Sequence, residues 1–140
     1  MYWMMYVSLF LCTFVHEMNI GTHIIISTAT DMLRVSTRQI LYIQSDGNYS
    51  TLFQTSGEMR LVSYQLGQVE KMIANQLPQE AANDFVRIGR SLIINLRYVY
   101  YINLPKQQLV LCDNQQAKYT LTASRDALLS LKELIEKDIK

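Results

Sequence analysis

Apolar and polar residues alternate regularly from His23 onward, and the period of that alternation changes along the chain. His23–Ser27 (HIIIS) is a β-branched run, and Leu33–Ser36 suggests a second short strand after a turn at Ala29–Met32. Gln39–Gln44 (QILYIQ) sets Ile40, Tyr42 and Gln44 on one face and Leu41 and Ile43 on the other, the two-residue repeat of a strand. Asp46-Gly47-Asn48 is a hairpin signal, because glycine and asparagine tolerate the positive φ of tight turns. Tyr49–Thr55 returns as a strand, Ser56-Gly57 turns it, and Met59–Tyr64 makes a third, so the segment reads as a meander.

The period then lengthens. Leu66, Val69, Ile73 and Leu77 recur at three- and four-residue intervals, which draws an apolar stripe on a short helix. Pro78 ends it, since the residue before a proline is pushed out of helical angles. Phe85–Ile88 is extended, Tyr98–Asn103 is rich in aromatic and branched residues, and Leu104–Gln107 turns around Pro105. Gln108–Cys112 and Ala117–Leu121 form a hairpin through Asp113-Asn114-Gln115. Ser124 caps a closing helix with Asp126 in its first turn, and Ala127, Leu128, Leu131, Leu134, Ile135 and Ile139 form its apolar face. The sum is about eight short strands and two helices, a mostly β (α+β) chain with one short internal helix and a C-terminal helix.

Composition narrows the chemistry more than the fold. With 49% apolar and 18% charged residues the chain is globular, and 140 residues suffice for one core. A net charge of +1 announces no acidic partner by itself. From Asp84 to Arg125, however, six basic residues (Arg87, Arg90, Arg97, Lys106, Lys118, Arg125) face two acids, Asp84 and Asp113. A local basic face is compatible with a neutral molecule. Cys12 and Cys112, a hundred residues apart, make no disulfide framework and suit a reducing cytoplasm. The sequence has no CxxC, no HExxH and no clustered His/Cys set, and its two histidines, His16 and His23, lie at or before the start of the regular part. No metal, no cofactor and no enzymatic centre are therefore expected. The carboxylates Glu133, Glu136 and Asp138 lie on a lysine-rich helix and read as a solvated face.

Residues 1–19 stand apart from the domain expected over residues 20–140. Met1–Val15 (MYWMMYVSLFLCTFV) is uncharged and mostly apolar. As a helix it would span about 22 Å, short of a bilayer core, and it lacks the features of a signal peptide. Three readings stay open: a short membrane anchor, a segment packed on a partner, or sequence upstream of a true start at Met18.

Two segments carry a family resemblance when taken together. One is Tyr42-Ile43-Gln44-Ser45-Asp46-Gly47-Asn48-Tyr49, and the other is Phe85-Val86-Arg87-Ile88-Gly89-Arg90-Ser91-Leu92-Ile93-Ile94-Asn95. With Thr122-Ala123-Ser124-Arg125 they resemble the LytTR DNA-binding family of bacterial transcription regulators, over roughly residues 23–137 in order and spacing. The second segment departs strongly only where the family commonly has histidine and this chain has Gly89.

The resemblance implies packed antiparallel sheets that set loops against duplex DNA, entering successive major grooves and gripping the backbone between them. By position, Asn48, Tyr49 and Ser50 form one contacting loop, Gly89, Arg90 and Ser91 a second, and Ser124 and Arg125 a third, with Arg87 beside the second. Arginine suits base reading, because its two-pronged donor set matches guanine O6 and N7. Asn48, Ser91 and Ser124 suit phosphate. Each position also has a plainer reading. Arg90 could pair with a surface carboxylate, Arg125 could simply start a helix, and Arg87 alternates with Val86 and Ile88 as a strand residue would. Asn48 and Tyr49 could make only a turn and a packed aromatic. Asn95 is assigned to nearby backbone groups, and Phe85, Leu92, Ile93 and Ile94 to the core.

The function expected is a sequence-specific regulator acting on promoter repeats, with self-association on paired sites and a sensor or regulator protein as further partner. The family's modules are commonly response regulator effector domains, and the roughly twenty residues before the first strand are too few for a receiver. A stand-alone regulator is therefore expected. The competing expectation is an interaction module that kept the fold and lost DNA binding, an antagonist of a related regulator, with membrane tethering as a variant.

Overall fold

The computed structural model describes residues 23–138, in which ten strands and three helices form three antiparallel sheets. Strands β1 (His23–Ser27) and β2 (Met32–Ser36) make a two-stranded ribbon. The central sheet has the order β5-β4-β3-β7-β6, built from β3 (Ile40–Asp46), β4 (Tyr49–Gln54), β5 (Met59–Val62), β6 (Phe85–Ile88) and β7 (Leu92–Asn95). The third sheet is β8 (Val99–Asn103), β9 (Gln108–Cys112) and β10 (Lys118–Thr122). Helices α1 (Leu66–Gln76), α2 (Gln79–Ala82) and α3 (Arg125–Asp138) complete the chain. The mostly β expectation holds. The three readings of the N-terminal segment, and Ile139, lie outside the described residues.

The central sheet is covered on both faces, which gives the molecule two cores. One packs Ile40, Ile43, Leu52, Val62 and Ile93 against the ribbon (Ile24, Ile26, Val35) and α1 (Leu66, Val69, Ile73). The other packs Leu41, Tyr42, Ile88, Leu92 and Ile94 against the third sheet (Leu109, Leu111) and α3 (Leu128, Leu131). This sandwiching explains why Leu92–Asn95 was not read as a strand in the sequence. All four residues of β7 are buried, so Leu92–Asn95 has no polar alternation to betray it.

The expected facing of β3 is corrected by a bulge. Its register on β4 slips between Ile40 and Tyr42, so Leu41 is an extra residue. Ile40 thereby joins Ile43 in the first core, and Leu41 joins Tyr42 in the second. Two further departures concern helices. Pro78 ends α1 as expected but also opens α2, because its φ of −58° suits a helix start, and its carbonyl accepts from Ala82 N at 2.9 Å. On α3, Leu134 is 39% exposed rather than buried, while Leu128 and Leu131 carry the packing.

Asn95, the last residue of β7, ties that strand to the start of β3. Its Nδ2 donates to the carbonyls of Thr37 (3.1 Å) and Ile40 (2.9 Å), and its Oδ1 accepts from Arg97 N (3.1 Å), with the residue 1% exposed. Tyr98 follows, donating its hydroxyl to the Arg38 carbonyl. Burial pushes the Tyr98 phenol above the usual 10.0, and Arg97 and Arg38 offset this only in part. Burial does the same to Tyr42, which stacks on Phe53 at 4.3 Å between ring centres.

Two outcomes are expected. Asn95→Leu orphans two buried carbonyls and should lower stability by about 2–3 kcal/mol in urea unfolding. The unfolded chain ionises its tyrosines near 10.0, whereas the fold holds Tyr42 and Tyr98 protonated to higher pH. Their contribution to stability is therefore full below pH 10.0 and lost as pH rises through the folded values, so urea unfolding at several pH values should show stability falling less steeply above pH 10.0 in Tyr98→Phe than in the unaltered chain.

Candidate nucleic-acid interface

Strand pairing brings two turns to one end of the central sheet. Asp46 pairs with Tyr49 across the β3–β4 hairpin, whose Gly47 has φ +64°. Ile88 pairs with Leu92 across the β6–β7 hairpin, whose Gly89 has φ +63°. Because β3 and β7 run antiparallel with Gln44 opposite Leu92, both turns fall at the same end, and Ser45 N donates to the Ser91 carbonyl at 2.8 Å. The third element arrives through α3, which packs on β6 and β8. Ala127, Ser130 and Leu131 share a groove with Ile88 and Gly89, while Asp138 shares one with Asn83 and Leu96. Helix α3 therefore starts beside the turns and runs away from them.

The expected contact residues divide into an outward set and a supporting set. Asn48, Tyr49, Gly89, Arg90, Ser91, Ser124 and Arg125 are exposed. Among the described residues, Arg90 and Arg125 have no carboxylate within ion-pair distance. Ser124 is the helix cap expected of it, accepting from Ala127 N at 3.2 Å. Ser50 does not belong to the outward set. It is fully buried and donates its hydroxyl to the Tyr64 carbonyl at 2.7 Å, because it lies one residue inside the strand and faces the core.

Arg87 stands behind the second turn rather than at its tip. Its Nη2 donates to the Arg90 carbonyl at 3.2 Å, and its Nη1 lies 3.4 Å from Glu70 Oε1 on α1. The guanidinium thus braces the loop that carries Arg90. A comparable brace for the first turn escaped the sequence reading: Gln65 Nε2 donates to Asn48 Oδ1 at 3.3 Å. Gln65 also sits at the start of α1, its N–H donating to Gln68 Oε1 at 2.9 Å. A Gln-x-x-Gln spacing before the apolar stripe was the available signal, but nothing in it pointed to a residue 17 positions away.

Such an end presents two hairpin turns and a helix start projecting from packed antiparallel sheets. The family model for the LytTr DNA-binding domain matches residues 30–136, and the chain belongs to that family of DNA-binding domains of transcription regulators. It is a family of binding domains, not of enzymes. A solved LytTr DNA-binding domain from Bacillus cereus has the same fold, with a TM-score of 0.56 at 16% identity over 81% of this chain and 96% of that one. No curated protein matches the chain. Among the described residues, no group of three His, Cys, Asp or Glu is placed to hold a metal, and no helix is long and apolar enough to cross a membrane.

Gly89 is required by its backbone and not by crowding. A Cβ there would meet nothing within 4 Å, yet the φ of +63° disfavours any residue with one. Gly89→Ala should therefore cost about 1 kcal/mol of stability in thermal or urea unfolding, from left-handed strain alone. Gly89→Asn should cost less, since asparagine tolerates that conformation.

Proposed function

We propose that the chain is a sequence-specific DNA-binding transcription regulator that reads promoter repeats with the turn end of its central sheet. The observation that carries this reading is the juxtaposition fixed by the Ser45–Ser91 hydrogen bond, with Arg90 exposed on one of the joined turns. Arg90 and Arg125 are the base-reading side chains, each able to favour a guanine by about 1–3 kcal/mol. Asn48, Tyr49, Ser91 and Ser124 position the duplex through its backbone, as polar groups on loops and helix starts commonly do. Gly89 contributes backbone approach, and Arg87 holds the Arg90 loop in shape.

Three finer assignments go with this reading. Two copies bind paired sites on one promoter, a sensor or regulator protein supplies the input, and the protein works in the cytoplasm. The family's role and the unpartnered arginines both favour DNA binding over an antagonist that has lost it.

Selection from a random duplex pool should return a repeated motif, and binding to it should weaken steeply as salt rises, because phosphate contacts release counterions. Arg90→Ala and Arg125→Ala should each weaken binding to the selected motif about tenfold while leaving the unfolding transition unchanged. Undiminished affinity in both variants would remove them from the site, and no binding at low salt would end the DNA reading.

A further inference from the structure

The third sheet brings one more turn to the same end of the molecule. Strands β8 and β9 are joined by Leu104–Gln107, a tight turn closed by Gln107 N donating to the Leu104 carbonyl at 3.1 Å. Gln107 has φ +52°, and Asn103 Oδ1 accepts from Lys106 N at 3.0 Å, so the backbone beneath Lys106 is fixed from both sides. Asn103 is itself held, its Nδ2 donating to the Tyr101 hydroxyl at 2.9 Å. The location follows from one further bond. The Gln107 carbonyl accepts from Ala123 N at 3.3 Å, two residues before Arg125. The turn therefore sits beside the start of α3, whose first turns share a groove with Gly89.

Lys106 is exposed, and among the described residues no carboxylate lies within ion-pair distance of it. The first turn of α3 carries a carboxylate, Asp126. Lys118, by contrast, lies at the opposite end of the same sheet: it pairs with Cys112, whereas Thr122 pairs with Gln108 beside the turn. Its ammonium rests 4.5 Å from the centre of the Tyr100 ring.

We propose that the Leu104–Gln107 turn is a fourth DNA-contacting element, in which Lys106 grips a backbone phosphate flanking the groove entered by Arg125. The assignment rests on the DNA-binding reading and extends it. A lysine ammonium is a compact point charge without the planar donor fork of arginine, so it supplies attraction to phosphate without selecting a base. The Asn103 and Ala123 hydrogen bonds hold its backbone in place before DNA arrives, which limits the ordering cost of the contact.

The test compares full-length chains carrying Lys106→Gln, Lys106→Arg and Lys118→Gln with the unaltered chain, by fluorescence anisotropy on a selected site and on random duplex at several salt concentrations. Lys106→Gln should weaken both duplexes alike, by about 3- to 10-fold, and lower the magnitude of the log–log salt slope by about one. Lys106→Arg should keep the charge and the slope, and Lys118→Gln should bind as the unaltered chain does. Unchanged affinity and slope in Lys106→Gln, with the unaltered chain still binding, would overturn this assignment alone. A loss confined to the selected site would overturn the phosphate role in favour of base reading. Absence of binding by the unaltered chain would overturn the DNA-binding reading together with this one.

Discussion

The antiparallel pairing of Ile40–Asp46 with Leu92–Asn95 is the constraint on which the rest of the molecule depends. These two strands are adjacent inner members of a sheet covered on both faces, so along Ile40–Ile43 and Leu92–Asn95 neither can carry a polar face without leaving it buried. Their register does two things at once. It divides the apolar residues between the cores, and it sets the turns that follow β3 and precede β7 at one end. Slipping the pair by one residue would invert every side chain and also part the turns, so packing and the geometry of the interface are selected together. Asn95 guards this register. Its amide reaches the carbonyls of Thr37 and Ile40, and it can satisfy both only when β7 lies where it does.

How much of this was legible in the sequence depends on which interaction fixes each element. Hairpins with Gly47 and Gly57 were readable because the turn chemistry is local, and α1 was readable because one face of it meets solvent. The bulge at Leu41 was not, since a run of four apolar residues fits either facing and only the pairing with β4 decides between them. The strand at Leu92–Asn95 was hidden for the same reason: burial on both faces removes the alternation that would have marked it. Leu134 was assigned to the buried face of α3 by periodicity, but it lines open grooves beside Val86 and Arg87 and stays 39% exposed.

The candidate interface was readable as a set of residue types and not as an arrangement of outward and supporting side chains. Family resemblance named the candidate segments, yet spacing alone could not separate Arg90, which faces outward, from Arg87, three residues earlier, which braces it. That distinction comes from Glu70 on α1, 17 positions away in the chain. Ser50 shows the same limit. It neighbours an exposed tyrosine in sequence, but strand alternation turns its hydroxyl inward to Tyr64. Likewise Gln65, which supports Asn48, becomes visible only once α1 is placed against the first hairpin.

A near-neutral chain can still present a basic end, because its charges are sorted along α3 and the sheets. Arg125 opens α3 beside the turns, whereas Glu133, Glu136 and Asp138, interleaved with Lys132 and Lys137, lie toward its far end, with Asp138 near Asn83 and Leu96. Arg97, also remote from the turns, has Asp84 at 3.9 Å to offset it. At the turn end, Arg90, Lys106 and Arg125 are exposed, with Asp46 and Asp126 as the exposed acids on the same elements. At physiological ionic strength charges act over about 8 Å, so the field at that end is set by those nearby groups and not by the total. Net charge is thus a poor guide for a domain of this kind, and the sorting of charge by strand register is the better one.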